Sequence, residues 1–308
     1  MAARIDVHHH LVSPKHVPLL RELGVLTPHL ASIMNVKDAL ADMDKAGVTL
    51  AVNSATLPEQ IRGRERVAYS RENNEYMARL VADHPGRFGM FASLPLPDVD
   101  GALKEIEYAF DVLKCDGAHL ITSYDDRWLG DKIFAPVFEE LNRRKAVIYT
   151  HPHGPACTRG ILKEIVIRDS SIEYGTDTTR ALVNMLFGGT FQRCPNIKII
   201  WSHGGGTMPF LVERFIRMGK EARYQPLMPD GFVAEARKFF YDTAQILAAS
   251  PLLALKQLVP LKQICYGTDY PWRYSDECVK GLIASGVLTP EELRAIDNNA
   301  APLFPRFR

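Results

Sequence analysis

The residues in this chain best suited to chemistry are histidines and one aspartate that follow short apolar runs. They are His8 and His10 in IDVHHHL, His151 in VIYTHPHG, His203 in IIWSHGGG and Asp269 in CYGTDYPW. Side chains at positions i and i+2 of a strand point to the same side, so His8 and His10 can bind one ion while His9 points away. Imidazole and carboxylate suit a divalent metal such as zinc, and an incomplete set of protein ligands leaves room for water. These residues therefore predict a metal-centred catalytic site.

The elements that must position these residues are apolar runs rich in Val, Ile and Tyr, which are typical of buried strands. We predict eight strands, at Ala3–His10, Val48–Ser54, Phe88–Leu94, Gly117–Thr122, Ala146–His151, Ile197–His203, Phe239–Asp242 and Gln263–Gly267. Regular alternation of strands with amphipathic segments favours right-handed parallel units, so the expected fold is α/β, a (β/α)8 TIM barrel. The five candidate residues end or follow their strands, which places all of them at the carboxyl face, where such barrels carry their active sites.

The predicted helices lie between the strands, and two long segments lie outside the minimal repeat. The helices are expected at Val36–Ala46, Glu65–Asp83, Val99–Leu113, Ile133–Arg143, Thr178–Gly188 and Met208–Lys220, with two more in Asp276–Ala300. Ser13–Ser32, after the first strand, is predicted to be a loop with one short helix. Pro152–Gly175, after the fifth strand, resembles a lid, since long loops in compact domains are often functional. No repeat, low-complexity tract or linker divides the chain, so we predict one domain over residues 1–308.

Composition excludes several classes of partner. The chain has 308 residues, 46% of them hydrophobic, and a formal net charge of +1. That charge gives no reason to expect nucleic acid or a membrane surface as partner. The five cysteines form no CxxC pair, which favours a reducing compartment, and the N-terminus shows no secretory apolar core; we expect a cytoplasmic protein. Cys157 is either a catalytic thiol or, as we prefer, a bystander.

Four sequence blocks occur in the same order as in a known family. They are D-V-H-H-H, T-H-P-H, S-H-G-G-G-T-M-P-F and Y-G-T-D-Y-P-W, and they extend over nearly the whole chain. On these blocks the sequence resembles the metal-dependent amidohydrolase superfamily, in its aminocarboxymuconate-semialdehyde decarboxylase-like (amidohydrolase-2) branch. The stretch G-T-D-T-T-R-A-L at Gly175–Leu182 is similar to the 6-methylsalicylate-type decarboxylases of that branch. The aminocarboxymuconate enzyme carries an arginine shortly before its M-D-x-x-G-V segment, whereas VKDALADMDKAGV has none, which argues against that substrate here.

The resemblance implies roles for individual residues. The implied metal ligands are His8, His10, His151 and Asp269. His203 would lie beside the metal as a proton-transfer residue. The family also implies a homodimer, or a dimer of dimers, in which an arginine of the helix after H-G-G-G binds the substrate carboxylate in the neighbouring subunit. The matching residue here is Arg214, whose planar guanidinium suits a carboxylate. Zinc is the expected metal, and manganese suits the same ligands.

The implied activity is that of a lyase of aromatic compound catabolism, which removes carbon dioxide without oxidation. A divalent ion can bind a carboxylate and an adjacent hydroxyl, and Asp269 is the best placed proton donor to the carboxyl-bearing carbon. The expected substrate is a small hydroxylated aromatic, or related unsaturated, carboxylic acid. One alternative is a hydrolase or hydratase that attacks a ring-cleavage product or lactone with metal-activated water. Another is a non-catalytic barrel that has kept its metal ligands.

Three further residues are predicted to contact the substrate, and each has a structural alternative. His119 in GAHLITS either lines the site or packs in the barrel. His153 either contacts the substrate or belongs to a loop, and Trp272 either packs on a planar substrate or caps the barrel. The Gly204–Gly206 run lacks the following Lys-Ser/Thr of a phosphate loop. It more simply permits a tight turn with amides free for an oxyanion.

Overall fold

Eight parallel strands form a nearly closed barrel, as predicted. The protein is described by a computed structural model, which covers residues 4–158 and 167–307. The strands are β1 (Arg4–His9), β2 (Val48–Ser54), β3 (Phe88–Ser93), β4 (Gly117–Ile121), β5 (Ser123–Tyr124), β6 (Arg127–Trp128), β7 (Val147–His151), β8 (Lys198–Trp201), β9 (Phe240–Asp242) and β10 (Ile264–Cys265). The barrel order is β1-β2-β3-β4-β7-β8-β9-β10, while β5 and β6 form a separate antiparallel hairpin.

Backbone hydrogen bonds between β1 and the segment after β10 join the two ends of the sheet. The Val7 amide donates to the Tyr266 carbonyl at 3.1 Å, and the Asp269 amide donates to the His8 carbonyl at 2.8 Å. β10 contains only two residues because the chain leaves regular strand geometry early, and Asp269 has a left-handed φ of 71°. The last strand is therefore shorter than predicted, but the same hydrogen bonds bring Asp269 beside His8.

The helices surround the barrel. They are α1 (Val17–Glu22), α2 (Pro28–Ile33), α3 (Val36–Ala46), α4 (Gly63–Asp83), α5 (Val99–Asp111), α6 (Ala135–Arg143), α7 (Glu173–Phe187), α8 (Thr190–Arg193), α9 (Met208–Gly219), α10 (Phe232–Ala236), α11 (Ala249–Leu258), α12 (Ser275–Ala284) and α13 (Pro290–Asn298). The predicted helices agree with these bounds to within two residues, except that α7 begins five residues before Thr178. α13 starts at a capping box in which Thr289 and Glu292 bond to each other's backbone amides.

The two long segments contain more structure than the sequence suggested. Ser13–Ser32 holds two helices, α1 and α2, and Thr27 caps α2 by accepting a hydrogen bond from the Leu30 amide at 3.2 Å. Pro152–Gly175 contains two 3-10 turns, at Ala156–Thr158 and Asp169–Ser171, and then enters α7; its residues 159–166 lie outside the described part of the chain. Both segments follow strand carboxyl ends, so both lie at the face that carries the candidate site.

The β5–β6 hairpin follows β4 at the same face and is held by a buried carboxylate. Asp177 of α7 accepts hydrogen bonds from Trp128 Nε1 at 2.5 Å and from Ser123 Oγ at 3.1 Å. These bonds tie α7, and with it the G-T-D-T-T-R-A-L stretch, to the end of β4. The hairpin was absent from the sequence-based prediction because each of its strands is only two residues long.

The core has two parts. The larger part packs strand side chains against the surrounding helices. A smaller buried cluster joins side chains of six barrel strands, such as Val52, Phe91 and Tyr149, to Phe304 near the end of the chain. Within the described residues, no helix combines the length and the apolar character needed to cross a bilayer.

Candidate metal centre

The four residues predicted as ligands lie together at the carboxyl end of the barrel. One ligand atom from each of His8, His10, His151 and Asp269 lies within 4.8 Å of the others. The Nε2 atoms of His8 and His10 are 3.1 Å apart, and they lie 3.2 and 3.4 Å from Asp269 Oδ1. His151 Nε2 is 4.0 Å from the same oxygen. Three imidazole nitrogens and one carboxylate oxygen therefore face one point.

Local strand geometry explains why these side chains converge. The pairing of β1 with β2 is irregular between Asp6 and His9, so the end of β1 departs from simple register. His9 points away from the cluster, as alternation predicts: its Nδ1 lies 2.9 Å from Asn53 Oδ1, and its ring stacks on Tyr270 at 4.6 Å. His8 and His10, on the other side of the chain, face into the barrel mouth.

Each of the three histidines is held through its Nδ1 atom by an acceptor. The partners are Asp242 Oδ2 for His8 at 2.8 Å, the Ser54 carbonyl for His10 at 2.9 Å and the Pro152 carbonyl for His151 at 2.8 Å. Because an acceptor requires a hydrogen on Nδ1, the neutral ring presents the lone pair of Nε2 to the centre. Such partners are typical of metal-ligating histidines, since they set the tautomer and the ring orientation.

The cluster fits a divalent ion on two grounds. Its donor set, three imidazoles and a carboxylate, is one that zinc and similar metals prefer. The Nε2 atom of His151 is also buried and has no hydrogen-bond partner among the described residues, although such an atom normally has one. An ion at the centre would satisfy that nitrogen.

Asp242, a residue that the sequence did not single out, links the site's elements. It is fully buried at the end of β9, and besides His8 it accepts hydrogen bonds from the backbone amides of His203 at 2.8 Å and Ala244 at 3.1 Å. The Tyr149 hydroxyl donates to Oδ2 at 3.3 Å. The only sequence signal was an acidic residue at the carboxyl end of a predicted barrel strand.

His203 lies beside the four-residue cluster on a tight turn after β8. The turn spans His203–Gly205, and His203 itself has a left-handed φ of 51°. A Cβ atom on Gly205 would lie 2.8 Å from the Tyr241 ring, so this run does permit a close passage. His203 Nε2 is 3.4 Å from Asp269 Oδ2, at a distance that suits proton exchange after a small adjustment.

Burial and neighbouring charges shift the pKa values of the cluster's residues in different directions. Burial by itself would raise the pKa of Asp269, but His8, His10 and His203 hold it well below the usual range. Burial and the neighbouring imidazoles of His10 and His8 hold the pKa of His151 well below its usual value. Burial opposes the charge on His8, yet Asp242 and Asp269 raise its pKa to about 10, so an ion would displace a proton there.

Two further polar residues support Asp269 and the end of β1. Gln245, which has a φ of 60°, donates from Nε2 to Asp269 Oδ2 at 2.8 Å. Asp6 accepts hydrogen bonds from the His8 amide at 2.9 Å and from the Thr268 hydroxyl at 2.6 Å. Asp6 thus fastens the strand that carries the histidine pair to the segment that carries Asp269. Gln245 carried no sequence signal, because its contact depends on the fold of the β9 loop.

The predicted substrate-contact residues differ in position. Trp272 is 39% exposed, and its ring lies edge-on to His10 with 5.3 Å between centroids. His119 is buried in β4 at a ring distance of 6.5 Å from His151, and within residues 4–158 and 167–307 neither of its ring nitrogens has a hydrogen-bond partner. His153 bonds through Nε2 to the Ser123 carbonyl at 2.7 Å. Arg214 is solvent-exposed on α9 and forms no ion pair with the described residues.

Comparison with known proteins adds a family and named relatives. A family model described as Amidohydrolase matches residues 5–306. The chain is 35% identical to "Decarboxylase yanB" of Aspergillus niger, over 99% of this chain and 88% of that protein. It is 32% identical to a 6-methylsalicylic acid decarboxylase of Penicillium expansum, over 99% and 97% of the two chains. A dihydroxybenzoic acid decarboxylase from Polaromonas, solved with bound manganese and 2-nitroresorcinol, has a TM-score of 0.86 at 22% identity, covering 100% and 98% of the chains. That last likeness shows a shared fold.

Proposed function

This chain belongs to the amidohydrolase family, and on that premise we propose that it is a metal-dependent, non-oxidative decarboxylase of a hydroxylated aromatic carboxylic acid. The observation that carries the proposal is the convergence of His8, His10, His151 and Asp269 in a chain whose relatives over 99% of its length are named decarboxylases. One relative is named for 6-methylsalicylic acid, which makes an ortho-hydroxybenzoate the first substrate class to test. A hydrolase or hydratase is not favoured, since these relatives are named for loss of a carboxyl group.

The same four residues would hold the metal. When bound, a divalent ion supplies positive charge that neutralises the substrate's carboxylate and its adjacent hydroxyl oxygen. We propose zinc as the metal, and manganese suits the ligand set equally by chemistry. The presence of manganese in the Polaromonas enzyme supports testing both ions.

The chain's own residues would deliver the proton. Asp269 starts as a carboxylate, because the surrounding imidazoles hold its pKa low, so it must first take up a proton from His203 or from the substrate hydroxyl. Asp269 then protonates the ring carbon that bears the carboxyl group, and aromaticity is lost at that carbon. The bond to the carboxyl carbon breaks, its electron pair restores the aromatic ring, and carbon dioxide leaves. Gln245 steadies Asp269 Oδ2 during the transfer.

Residues around the mouth would select the substrate. Trp272, half-exposed beside His10, offers a flat surface for an aromatic ring. One ring nitrogen of His119, which has no partner among the described residues, would donate its hydrogen to a substrate oxygen. His153 lies on the same rim, two residues after His151. These assignments rest on position and on unsatisfied hydrogen-bonding atoms.

We also propose that the active unit is a homodimer, or a dimer of dimers, formed through α9. Phe210 and Leu211 expose 62% and 37% of their surface on this helix, and such apolar exposure is typical of an interface. Arg214 is exposed on the same helix, where its guanidinium would reach the partner's site and bind the substrate carboxylate. Light scattering of the wild type and of Phe210→Glu tests the interface, and loss of dimer in the variant is the expected result.

The decisive test is carbon dioxide release by purified, metal-loaded protein with salicylates, resorcylates and muconate-type acids. We expect release from an ortho-hydroxybenzoate that a chelator stops and added metal restores. His151→Gln should abolish release, while His84→Gln, a change at the far end of α4, should leave it intact. If no compound of the panel releases carbon dioxide although metal is shown to be bound, the decarboxylase proposal is refuted. That result would favour a hydrolase or hydratase that uses metal-activated water.

A further inference from the structure

The turn that carries His203 has an unusual backbone. His203 and the three glycines after it, Gly204–Gly206, all have left-handed φ values, between 51° and 78°. Glycine adopts this region readily, but a residue with a Cβ atom does so at a cost, so His203 keeps this conformation only where its surroundings impose it. On one side of the turn, the His203 amide donates to Asp242 Oδ1 at 2.8 Å.

The position of the His203 ring depends on this backbone. Its Nε2 atom is buried and has no hydrogen-bond partner among the described residues. That atom lies 3.4 Å from Asp269 Oδ2, whereas proton transfer calls for a heavy-atom distance of about 2.6–3.2 Å. A small displacement of the turn would change this distance directly. A misplacement of about 1 Å can lower a rate by about 10²-fold.

The helix α7 contacts the other side of the turn through Thr179. The Thr207 amide donates to Thr179 Oγ1 at 2.8 Å, and the hydroxyl oxygens of these two residues are 3.0 Å apart. The Thr179 hydroxyl has two carbonyl acceptors, that of Gly175 at 2.9 Å and that of Gly205 at 3.3 Å. Only 5% of Thr179 is exposed, so these protein groups satisfy its hydroxyl. Thr179 therefore bonds to the chain two and four residues after His203.

The backbones of α7 and the turn lie very close to each other. A Cβ atom at Gly206 would collide with the Gly175 carbonyl oxygen and lie 2.9 Å from Thr179 Oγ1. The same helix is also fixed to the β5–β6 hairpin, whose side chains donate hydrogen bonds to buried Asp177. α7 is thus held at two contacts, and Thr179 is the side chain through which it bonds to the turn.

We propose that Thr179 is a positioning residue: its hydroxyl fixes the turn and so sets the distance over which His203 exchanges a proton with Asp269. This role rests on the function proposed above for His203. Because Thr179 acts on a proton-transfer distance, loss of its hydroxyl should lower kcat and leave KM and zinc affinity within about twofold of the wild type. A general loss of structure would not separate these quantities.

Thr179→Val tests this role because it keeps the shape of the side chain and removes the hydroxyl. Thr178→Val is the matched control: Thr178 is fully buried in the same helix, and its hydroxyl donates to the Tyr174 carbonyl of that helix at 3.0 Å. With zinc-loaded protein and an ortho-hydroxybenzoate, kcat should fall about tenfold in Thr179→Val and less than about twofold in Thr178→Val. Thr179→Ser keeps the hydroxyl, so its kcat should lie within about threefold of the wild type.

Nuclear magnetic resonance of the histidine rings examines His203 without reference to turnover. Zinc-loaded protein is labelled with ¹³C at Cε1 of histidine, and His203→Gln identifies the His203 signal by its loss. We expect this signal to shift in Thr179→Val, because the ring moves relative to the neighbouring imidazoles. In Thr178→Val and Thr179→Ser the signal should keep its wild-type position.

The outcomes distinguish this proposal from the proposed function. An unshifted His203 signal or a wild-type kcat in Thr179→Val would overturn it, and so would an equal effect of Thr178→Val. If Thr179→Val does not fold, Thr179→Cys decides by the same measurements, since a thiol is only a weak hydrogen-bond partner. Absence of carbon dioxide release from every compound would refute the proposed function instead, and the His203 signal would still show whether Thr179 holds the turn.

Discussion

The two ends of the barrel differ in whether some of their polar side chains lack partners. At the carboxyl end, ring nitrogens of His119 and His151 are buried and have no hydrogen-bond partner in the part of the chain that the structure describes. At the amino end, Arg4 bonds to both carboxylate oxygens of Asp297, at 2.7 and 3.0 Å. Unsatisfied polar atoms destabilise a fold, so two such histidines beside the four-residue cluster indicate a site that binds a ligand, whereas the Arg4–Asp297 pair indicates a structural role.

The contrast predicts that a conservative change at the carboxyl end removes activity while the fold survives. Asp269→Asn keeps the shape of the side chain but cannot deliver the proton, so carbon dioxide release should fall by about 10³-fold or more. Turnover and circular dichroism on the same metal-loaded preparation provide the measurement. Near-normal turnover in this variant would remove Asp269 from the mechanism.

A smaller effect is expected where a residue acts on the metal through a ligand. Asp242→Asn weakens the acceptor that orients His8, so metal affinity should fall by about 10–100-fold. Competition with a chelating dye measures this affinity without reference to turnover. If turnover is lost while metal affinity is unchanged, Asp242 acts by positioning His203, whose amide it accepts, and not by orienting a metal ligand.

At the amino end, the expected loss is one of stability alone. Asp297→Asn removes the charge from the paired bonds to Arg4, and the free energy of unfolding should fall by about 1–2 kcal/mol. Urea unfolding measures that change, and kcat/KM of the folded protein should be unaltered. A clear drop in kcat/KM would show that the amino end also contributes to activity, contrary to the comparison drawn above.

The smallest effect is a pH dependence at the same end. Burial raises the pKa of Asp116 to about 6, although Arg306 and the Met90 amide oppose the rise. The folded protein therefore holds this proton more tightly than the unfolded chain, whose pKa is about 4. The stability gained is present below pH ~4 and is lost as pH rises through about 6.

Asp116→Asn should remove this dependence. Between pH 5.5 and 7, the wild type should lose about 0.8 kcal/mol of unfolding free energy relative to the variant. Urea unfolding at a series of pH values, carried out on both proteins, measures the difference. A constant difference across the range would show that the Asp116 proton does not contribute.

Much of the fold and the centre of the site could be predicted from local patterns. Apolar runs with strand-like composition located the barrel strands, and α3 was predicted at its observed bounds, Val36–Ala46. The HxH pair and the strand-end positions of His151 and Asp269 were visible because a parallel barrel brings its strand ends to one face. The hairpin β5–β6 was missed, and Ser13–Ser32 was predicted to hold one short helix where it holds two, since elements this short carry little periodicity.

The amino-acid sequence by itself determined which strands form and which side chains could bind a metal, because those properties depend on neighbours along the chain. Only the tertiary structure decided that Asp242 would orient His8 and that Gln245 would hold Asp269. Each of these relations joins residues far apart in sequence or depends on what surrounds a side chain. Burial and hydrogen bonding are properties of the packed barrel, and no local pattern records them.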